Sequence, residues 1–440
     1  MASSPESENV AVVRRYFDGC SSGDLAGSAR HAFHAELKSL KDYFDAMAPE
    51  LEVTVRDPAL AIEGYVVVWN TGISIGGPLE GCGKGGTRIT PQVSLDEVKM
   101  LARTMALKNA AAGLPLGGAK SGLKLDPSAP GFESRYRRFV RLCAPLLYEN
   151  GGAFGGFGFD IGARPEHALW ACDELKSTRC FTGKPLSMGG TDYDREGIAG
   201  LGVAVAGSTM LEVKGESAAT AAFAVQGMGA MGAAVLRYFG EAGARLAALG
   251  DPKYEGSWTF DQPLSADLRR ALVRQDTGEA KALLPREGKK ISGDASDVLY
   301  QRADILFPCA VQNVIVAGNV DRIQARYVCE GANGPVADEA RASLHSRGIP
   351  LVPDFIANPG GVVAAFVELT SESPNKAEEA KALTREKIAA NVRELFEIAE
   401  RYGAEPQDAG LYMALAKIRD TSMGRDPSTP TLTRNGTERA

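Results

Sequence analysis

Between Lys84 and Pro127 the chain concentrates residues able to do chemistry, with Lys84, Arg88, Lys108 and Lys120 beside glycines or at the ends of expected helices. Any one of them could be a solvated surface cation. Lys120 fits that reading poorly, because Gly117-Gly118-Ala119-Lys120-Ser121-Gly122 strips side chains from its surroundings and lets the ammonium approach something small. Crowded ammonium groups repel one another and burial acts in the same direction, so one of them can titrate near neutral pH, polarise a carbonyl and assist a water. A carboxylate must then move the proton. Asp160, in Phe157-Gly158-Phe159-Asp160-Ile161-Gly162, is the candidate, and its glycine and apolar neighbours are expected to raise its pKa. A turn or helix-capping aspartate fits the same residues. A P-loop is the rival reading of 113–121, but that motif needs Gly directly before its Lys and Ala119 stands there.

These residues require elements to hold them. Alternation predicts strands over 51–55 and 64–69. A helix starts at Ser94, where Ser94 and Glu97 form a capping box, and shows an apolar face of Val98, Leu101, Ala102 and Met105 before stopping near Gly113. Lys108 then lies late on this helix and Lys120 beyond a glycine turn. Residues 1–50 read as mixed helical surface structure. From about residue 220, apolar strands at 221–225, 244–249, 303–310, 326–332 and 349–357 alternate with helices, the pattern of a parallel, doubly wound sheet. The polar stretch 254–300 receives no place in this scheme. Leu383, Ile388, Val392, Leu395, Ala399 and Tyr402 recur at helical spacing before Gly403, and residues 426–440 read as a disordered tail.

Gly227-Met228-Gly229-Ala230-Met231-Gly232 lies between an expected strand and helix. A GxGxxG string recurs by chance in a glycine-rich chain. Its context selects it, because the first glycine suits a tight turn, the second the approach of a pyrophosphate and the third close helix packing. Asp251 follows at the end of the next strand, where a ribose-binding acid belongs, and favours NAD; Lys253 beside it leaves NADP open. A solvated turn residue before Pro252 is the other reading of Asp251.

The 440 residues allow two or three domains, and a formal charge of −6 speaks against a nucleic-acid binder. Seven cysteines without a CxxC pair and four histidines read as reduced thiols with no metal site. The first residues lack the regions of a signal peptide and no long apolar run occurs, so a cytoplasmic chain with no membrane association is expected. Fifty glycines are an excess, which the sequence concentrates at 85–86, 117–122, 227–232 and 360–361, where a backbone would approach a cofactor or small substrate.

In order, EGY (63–65), KGGTR (84–88), KNAAAGLPLGGAKSG (108–122), Asp160-Ile161-Gly162, TGKPLSMGGT (182–191), the glycine fingerprint, EGANGP (330–335) and DFIANPGGV (354–362) resemble the glutamate/leucine/phenylalanine/valine dehydrogenase superfamily, and within it the glutamate dehydrogenases. The resemblance spans about 60–420. It implies reversible oxidative deamination of an L-amino acid to a 2-oxo acid and ammonia, with hydride transfer to a nicotinamide. By the same resemblance Lys120 is the catalytic lysine, Asp160 exchanges a proton with the substrate nitrogen, and Lys108 binds the α-carboxylate. Lys84 corresponds to the lysine for a γ-carboxylate, with Gly85, Gly158, Ala199, Val362 and Ala365 lining the substrate pocket. Asn333 and Asn358 line the cofactor cleft with Gly227, Met228, Gly229, Ala230, Met231, Gly232 and Asp251. Ala365 and Ala199 replace a pocket serine and threonine, which makes the pocket larger and less polar, and Ala230 replaces an asparagine of the fingerprint.

The expected fold is α/β with two domains. An N-terminal substrate domain (1–198) is followed by a Rossmann-type dinucleotide-binding domain (199–362), and C-terminal helices (363–425) return to the first. L-glutamate is the expected substrate. Another L-amino acid, or a non-catalytic sensor of dinucleotide or amino acid, are the alternatives. Family members form closed homo-oligomers, often hexamers, and the same is expected here.

Overall fold

A computed structural model describes residues 25–423; the expected tail lies outside them. The first sheet has five strands: β1 (Leu51–Asp57), β2 (Ile62–Trp69), β3 (Gly83–Lys84), β4 (Thr87–Ile89) and β5 (Gly117–Leu123). β1 and β5 flank β2 antiparallel, while β3 and β4 run parallel to β5. Alternation along β2 divides its side chains between two helices. Val66 and Val68 face Phe132, Tyr136 and Phe139 of helix α3 (Phe132–Cys143), and Tyr65 and Val67 face Val98 and Ala102 of helix α2 (Leu95–Ala111).

The glycine turn expected before Lys120 is instead strand β5, buried from end to end. A Cβ on Gly118 would overlap backbone of Ala102 and Ala106, and one on Gly122 would stand 2.6 Å from Val98 Cγ2. These glycines serve helix packing, not ligand approach. Without side chains at 118 and 122, α2 seats directly on β5 and buries Lys120, which alternation places on that same face. Ser94 caps α2 as expected, its hydroxyl accepting from Glu97 N at 3.2 Å, but the Glu97 carboxylate turns away to Arg88. Only half of the capping box forms.

The second sheet has seven strands in the order β11-β10-β9-β8-β12-β13-β14, namely Lys289–Ser292, Gly256–Thr259, Arg245–Asp251, Ala222–Gln226, Ile305–Pro308, Tyr327–Cys329 and Leu351–Val352. Five run parallel; β10 and β11 are an antiparallel edge. The unplaced stretch 254–300 therefore supplies this edge, with two helices between its strands. The strand expected over 349–357 ends at Val352, because Pro353 opens a short helix, Asp354–Ala357.

Leu25–Ala46 forms helix α1. Its Phe33, Leu37, Leu40 and Phe44 belong to the largest core, so this segment is more than surface. Helix α13 (Pro406–Met423) packs on α1 and α2. Lys41 meets Asp408 at 3.2 Å, and Asn391, on helix α12 (Lys376–Tyr402), donates to Ala111 O at 2.9 Å. The C-terminal helices thus return to the N-terminal domain. No described helix is long and apolar enough to cross a membrane.

Candidate active site

Lys120 is buried on β5, with Nζ 2.8 Å from Asp160 Oδ2. Glycine makes this approach possible. Gly162 holds φ +81° and a Cβ there would overlap Ile89 O, while a Cβ on Gly86 would lie 2.5 Å from Phe159 O. The 159–162 loop therefore lies flat on β4, fastened by Ile89 N donating to Ile161 O at 2.9 Å. Arg88, also on β4, completes the arrangement. Its Nε donates to Asp160 Oδ2 at 3.1 Å, Nη2 to Oδ1 at 3.3 Å and Nη1 to Glu97 Oε1 at 2.6 Å.

The charges depart from expectation. Burial alone would raise the Asp160 carboxyl, but Lys120 and Arg88 outweigh it and hold the group below its usual pKa. The expected increase is wrong because the loop's apolar neighbours matter less than two cations in hydrogen-bond contact. Lys120 is pushed down chiefly by burial, against the pull of Asp160, with Arg88 adding to the depression. Burial is also the largest cause for Lys84 and Lys108, ahead of repulsion between the lysines.

Lys84 is almost fully buried, and Nζ donates to Gly156 O and Phe157 O at 2.7 Å and to Gly85 O at 3.1 Å. Its pKa falls to about 7. Gly158 adjoins it, since a Cβ there would stand 3.5 Å from Lys84 Nζ. Gly85 is required by packing, because a Cβ would overlap Ala119 O.

Lys108 leaves the last turn of α2 and reaches across the cleft, donating to Asn333 Oδ1 at 3.0 Å. Asn358 Nδ2 donates to the same oxygen at 3.1 Å and to Gly331 O at 3.1 Å. The two asparagine turns are joined behind by Glu330, which accepts from Asp354 N at 2.9 Å and from Arg341 Nη2 at 3.0 Å. Burial lifts its pKa to about 7. Glu330 lay unused within the EGANGP motif.

The fingerprint glycines differ in geometry. Gly227 takes φ +88° at the turn, Gly232 lies so near Gly227 O that a Cβ would overlap it, and beside Gly229 the space is open. Met228 N donates to Asp251 Oδ2 at 2.6 Å and Lys253 N to Oδ1 at 2.9 Å, so Asp251 closes the loop at the β9 tip. Ala230 and Met231 begin helix α6 (Ala230–Glu241). The residues fit a dinucleotide: a backbone open at Gly229, a helix N-terminus behind it, and buried acceptors without donors on Gln226 and Asn358 at the same sheet end.

Ala199 lies in the first turn of helix α5 (Ile198–Val213), and Val362 and Ala365 lie on helix α11 (Gly360–Thr370). The two helix starts touch, since a Cβ on Gly360 would overlap Ile198 O and stand 3.0 Å from Ala199 Cα. α11 is anchored by Glu368, which pairs with buried Lys184 and accepts from Gly183 N at 2.9 Å and from Thr191 N and Oγ1 at 3.1 and 2.9 Å. Sequence reasoning missed this pair. The signal was there: Glu368 is the only charged side chain in an otherwise apolar helix, which demands a buried partner.

Residues 189–425 match Glutamate/Leucine/Phenylalanine/Valine dehydrogenase, and residues 49–176 match Glu/Leu/Phe/Val dehydrogenase, dimerisation domain. The chain belongs to this dehydrogenase family. It is 34% identical over 316 residues to the NADP(+)-dependent glutamate dehydrogenase of Pyrobaculum calidifontis, covering 70% of this chain and 72% of that one. It is 30% identical over 390 residues to the NAD-specific glutamate dehydrogenase of Peptoniphilus asaccharolyticus, covering 85% and 90%. The crystal structure of hetero-hexameric glutamate dehydrogenase from Thermus thermophilus (Leu bound form) superposes with a TM-score of 0.67 at 26% identity, covering 88% of this chain and 95% of that one. With the dinucleotide fingerprint built as described, the protein is an NAD(P)-dependent amino-acid dehydrogenase of two α/β domains. In this dehydrogenase, Lys108 and Asn333 bring the two halves of the cleft into contact.

Proposed function

We propose that this dehydrogenase catalyses the reversible oxidative deamination of L-glutamate to 2-oxoglutarate and ammonia. The observation that carries the reaction is the buried Lys120–Asp160 pair, 2.8 Å apart, beside Arg88. Residues 227–232 would hold a nicotinamide dinucleotide, which would supply hydride acceptance. Asp160, kept ionised by its two cations, takes the proton from the substrate's α-ammonium. Water then adds to the imine and its protons pass to solvent, while Lys120, as ammonium, stabilises the negative charge that develops on the new oxygen and Asp160 returns its proton to the nitrogen so that ammonia leaves. Lys108 holds the α-carboxylate. A sensor that only binds has no use for the Lys120–Asp160 pair.

Lys84 supports a dicarboxylate, as a buried lysine beside Gly158. A neutral L-amino acid is the second reading, favoured by Ala199 and Ala365 and by the three carbonyls that already occupy the Lys84 donors. Asp251 supports NAD, because a carboxylate there repels a 2′-phosphate. Asn333, Asn358 and residues 227–232 would hold the coenzyme. The domain limits remain those read from the sequence: 1–198, 199–362 and the returning 363–425. The dimerisation-domain match and the Thermus hetero-hexamer support a closed oligomer, proposed as a cytosolic homo-hexamer.

The test is NADH and NADPH oxidation with ammonia and a panel of 2-oxo acids, run on wild type and Lys120→Ala. Turnover with 2-oxoglutarate that falls by about 10²–10⁴-fold in the variant is expected. Full turnover in Lys120→Ala would overturn the mechanism, and a preference for apolar oxo acids would select the second reading.

A further inference from the structure

We infer that Arg88 is a positioning residue for this reaction: its guanidinium fork sets the plane and free face of the Asp160 carboxylate, and Glu97 sets the fork. The inference rests on the proton-transfer role proposed for Asp160. An aspartate at a loop tip can rotate about two side-chain bonds, and a proton acceptor that rotates is badly placed for most of its time. Arg88 removes that freedom through its two bonds to Asp160, Nε to Oδ2 at 3.1 Å and Nη2 to Oδ1 at 3.3 Å. Lys120 also points at Oδ2, 2.8 Å away. Oδ2 therefore serves both cations, while Oδ1 accepts only the longest of these contacts and stays the better acceptor for an incoming proton.

Arg88 is itself held. Its Nη1 donates to Glu97 Oε1 at 2.6 Å, and Glu97 lies in the first turn of α2, the helix seated on β5. This explains why Glu97 abandons the capping box. Strand pairing sets Arg88 opposite Gly122, two residues from Lys120 along β5. Carboxylate, lysine and fork therefore share one rigid unit of sheet and helix. A lysine at 88 could supply charge but not three donors in one plane.

The charged and titratable groups facing Asp160 are Lys120 from β5, Arg88 from β4, Glu97 behind Arg88 on α2, and the Tyr193 phenol from the segment before α5. Removing the Arg88 cation raises the pKa of both Asp160 and Lys120; removing the Glu97 anion lowers that of Lys120. Charge variants on the two residues must therefore move the pH profile in opposite directions. A loss of packing alone would not.

The experiment compares pH profiles of kcat and kcat/KM for deamination in wild type, Arg88→Met, Arg88→Lys and Glu97→Gln, with Asp160→Asn alongside. Arg88→Met is expected to lose about tenfold or more in kcat with little change in KM, and to shift the limbs to higher pH by about half a unit or more. Arg88→Lys restores the limb positions but only part of kcat, and Glu97→Gln shifts to lower pH. Unchanged limbs in Arg88→Met, or shifts of the same sign in Arg88→Met and Glu97→Gln, would overturn the inference. Should Arg88→Met not fold, Arg88→Lys and Glu97→Gln carry the test, since an unchanged kcat in the former and an unmoved profile in the latter refute it equally. Turnover retained in Asp160→Asn defeats the proton-transfer reading and this inference with it. An inactive Asp160→Asn beside indifferent Arg88 variants defeats the inference alone.

Discussion

Lys84 offers a quantitative test of what the pocket accepts. Burial lowers its pKa from 10.5 to about 7, so near neutral pH the ligand-free ammonium is only half protonated. A side-chain carboxylate can pair with it only in the charged form, and binding above pH 7 must therefore take up a proton. The sign follows from linkage: affinity for a dicarboxylate falls as pH rises, approaching tenfold per pH unit once Lys84 is mostly neutral. From pH 7 to 8.5 the protonated fraction drops from about one half to about 3%, a loss of about 15-fold in affinity. The assay uses dead-end analogues, with competitive inhibition constants for glutarate and 4-methylpentanoate measured at saturating NADH. Both ligands share the titrations of Lys108, Lys120 and Asp160, so these cancel in the ratio. The ratio of glutarate to 4-methylpentanoate constants is expected to rise on the order of tenfold over this range, and Lys84→Met to flatten it. A flat ratio in wild type would refute the role of Lys84 in holding a carboxylate. If 4-methylpentanoate also binds more tightly throughout, the substrate is an apolar amino acid.

Gly229→Ala should leave thermal stability near wild type and weaken coenzyme binding, because its Cβ enters open space at the pyrophosphate turn; Gly232→Ala should lower the melting temperature, because its Cβ overlaps Gly227 O. Thermal melts with and without NADH separate the two, and equal stabilities would defeat the assigned division of tasks. Asp251→Ser should move kcat/KM from NAD toward NADP and loosen the loop that closes on Met228 N; an unchanged coenzyme ratio would return Asp251 to the role of a turn residue. Glu330, raised by burial from 4.5 to about 7, binds more protons folded than unfolded between those values, so its contribution to stability is present at low pH and is lost as pH climbs through 7. Denaturant unfolding of Glu330→Gln across pH 5–7 should lack this decline, on the order of 1 kcal/mol per pH unit, and a parallel decline would show that Glu330 is not its source.

Much of this was legible along the chain. The glycine fingerprint predicted its turn at Gly227 and its close packing at Gly232, because positive φ and tight packing are local demands. The parallel strands were visible as apolar runs, since a strand covered on both faces has no polar side. Other features were not. The segment around Lys120 looked like a glycine turn, because glycines that clear space for a helix and glycines that bend a chain are identical in one dimension. The same ambiguity spread the glycine excess over imagined ligand contacts, whereas Gly85, Gly118, Gly122 and Gly360 face neighbouring backbone or side chains. The edge strands in 254–300 escaped notice because β11 is mostly exposed and carries no apolar run.

By itself the sequence determined the chemical inventory: three lysines and an aspartate in ordered motifs, a dinucleotide turn, and the family in which those motifs occur together. Only the tertiary structure decided their charge states and alliances. Whether an aspartate among apolar neighbours is raised or lowered depends on which cations come within hydrogen-bond reach, and for Asp160 those are Lys120 and Arg88, 40 and 72 positions away. Lys84 likewise became a lysine titrating near neutrality only when the surrounding core closed around it and took its ammonium out of water. Local spacing specifies turns and helices through short-range sterics, but electrostatics is set by three-dimensional distance, and that distance exists only after the chain has folded.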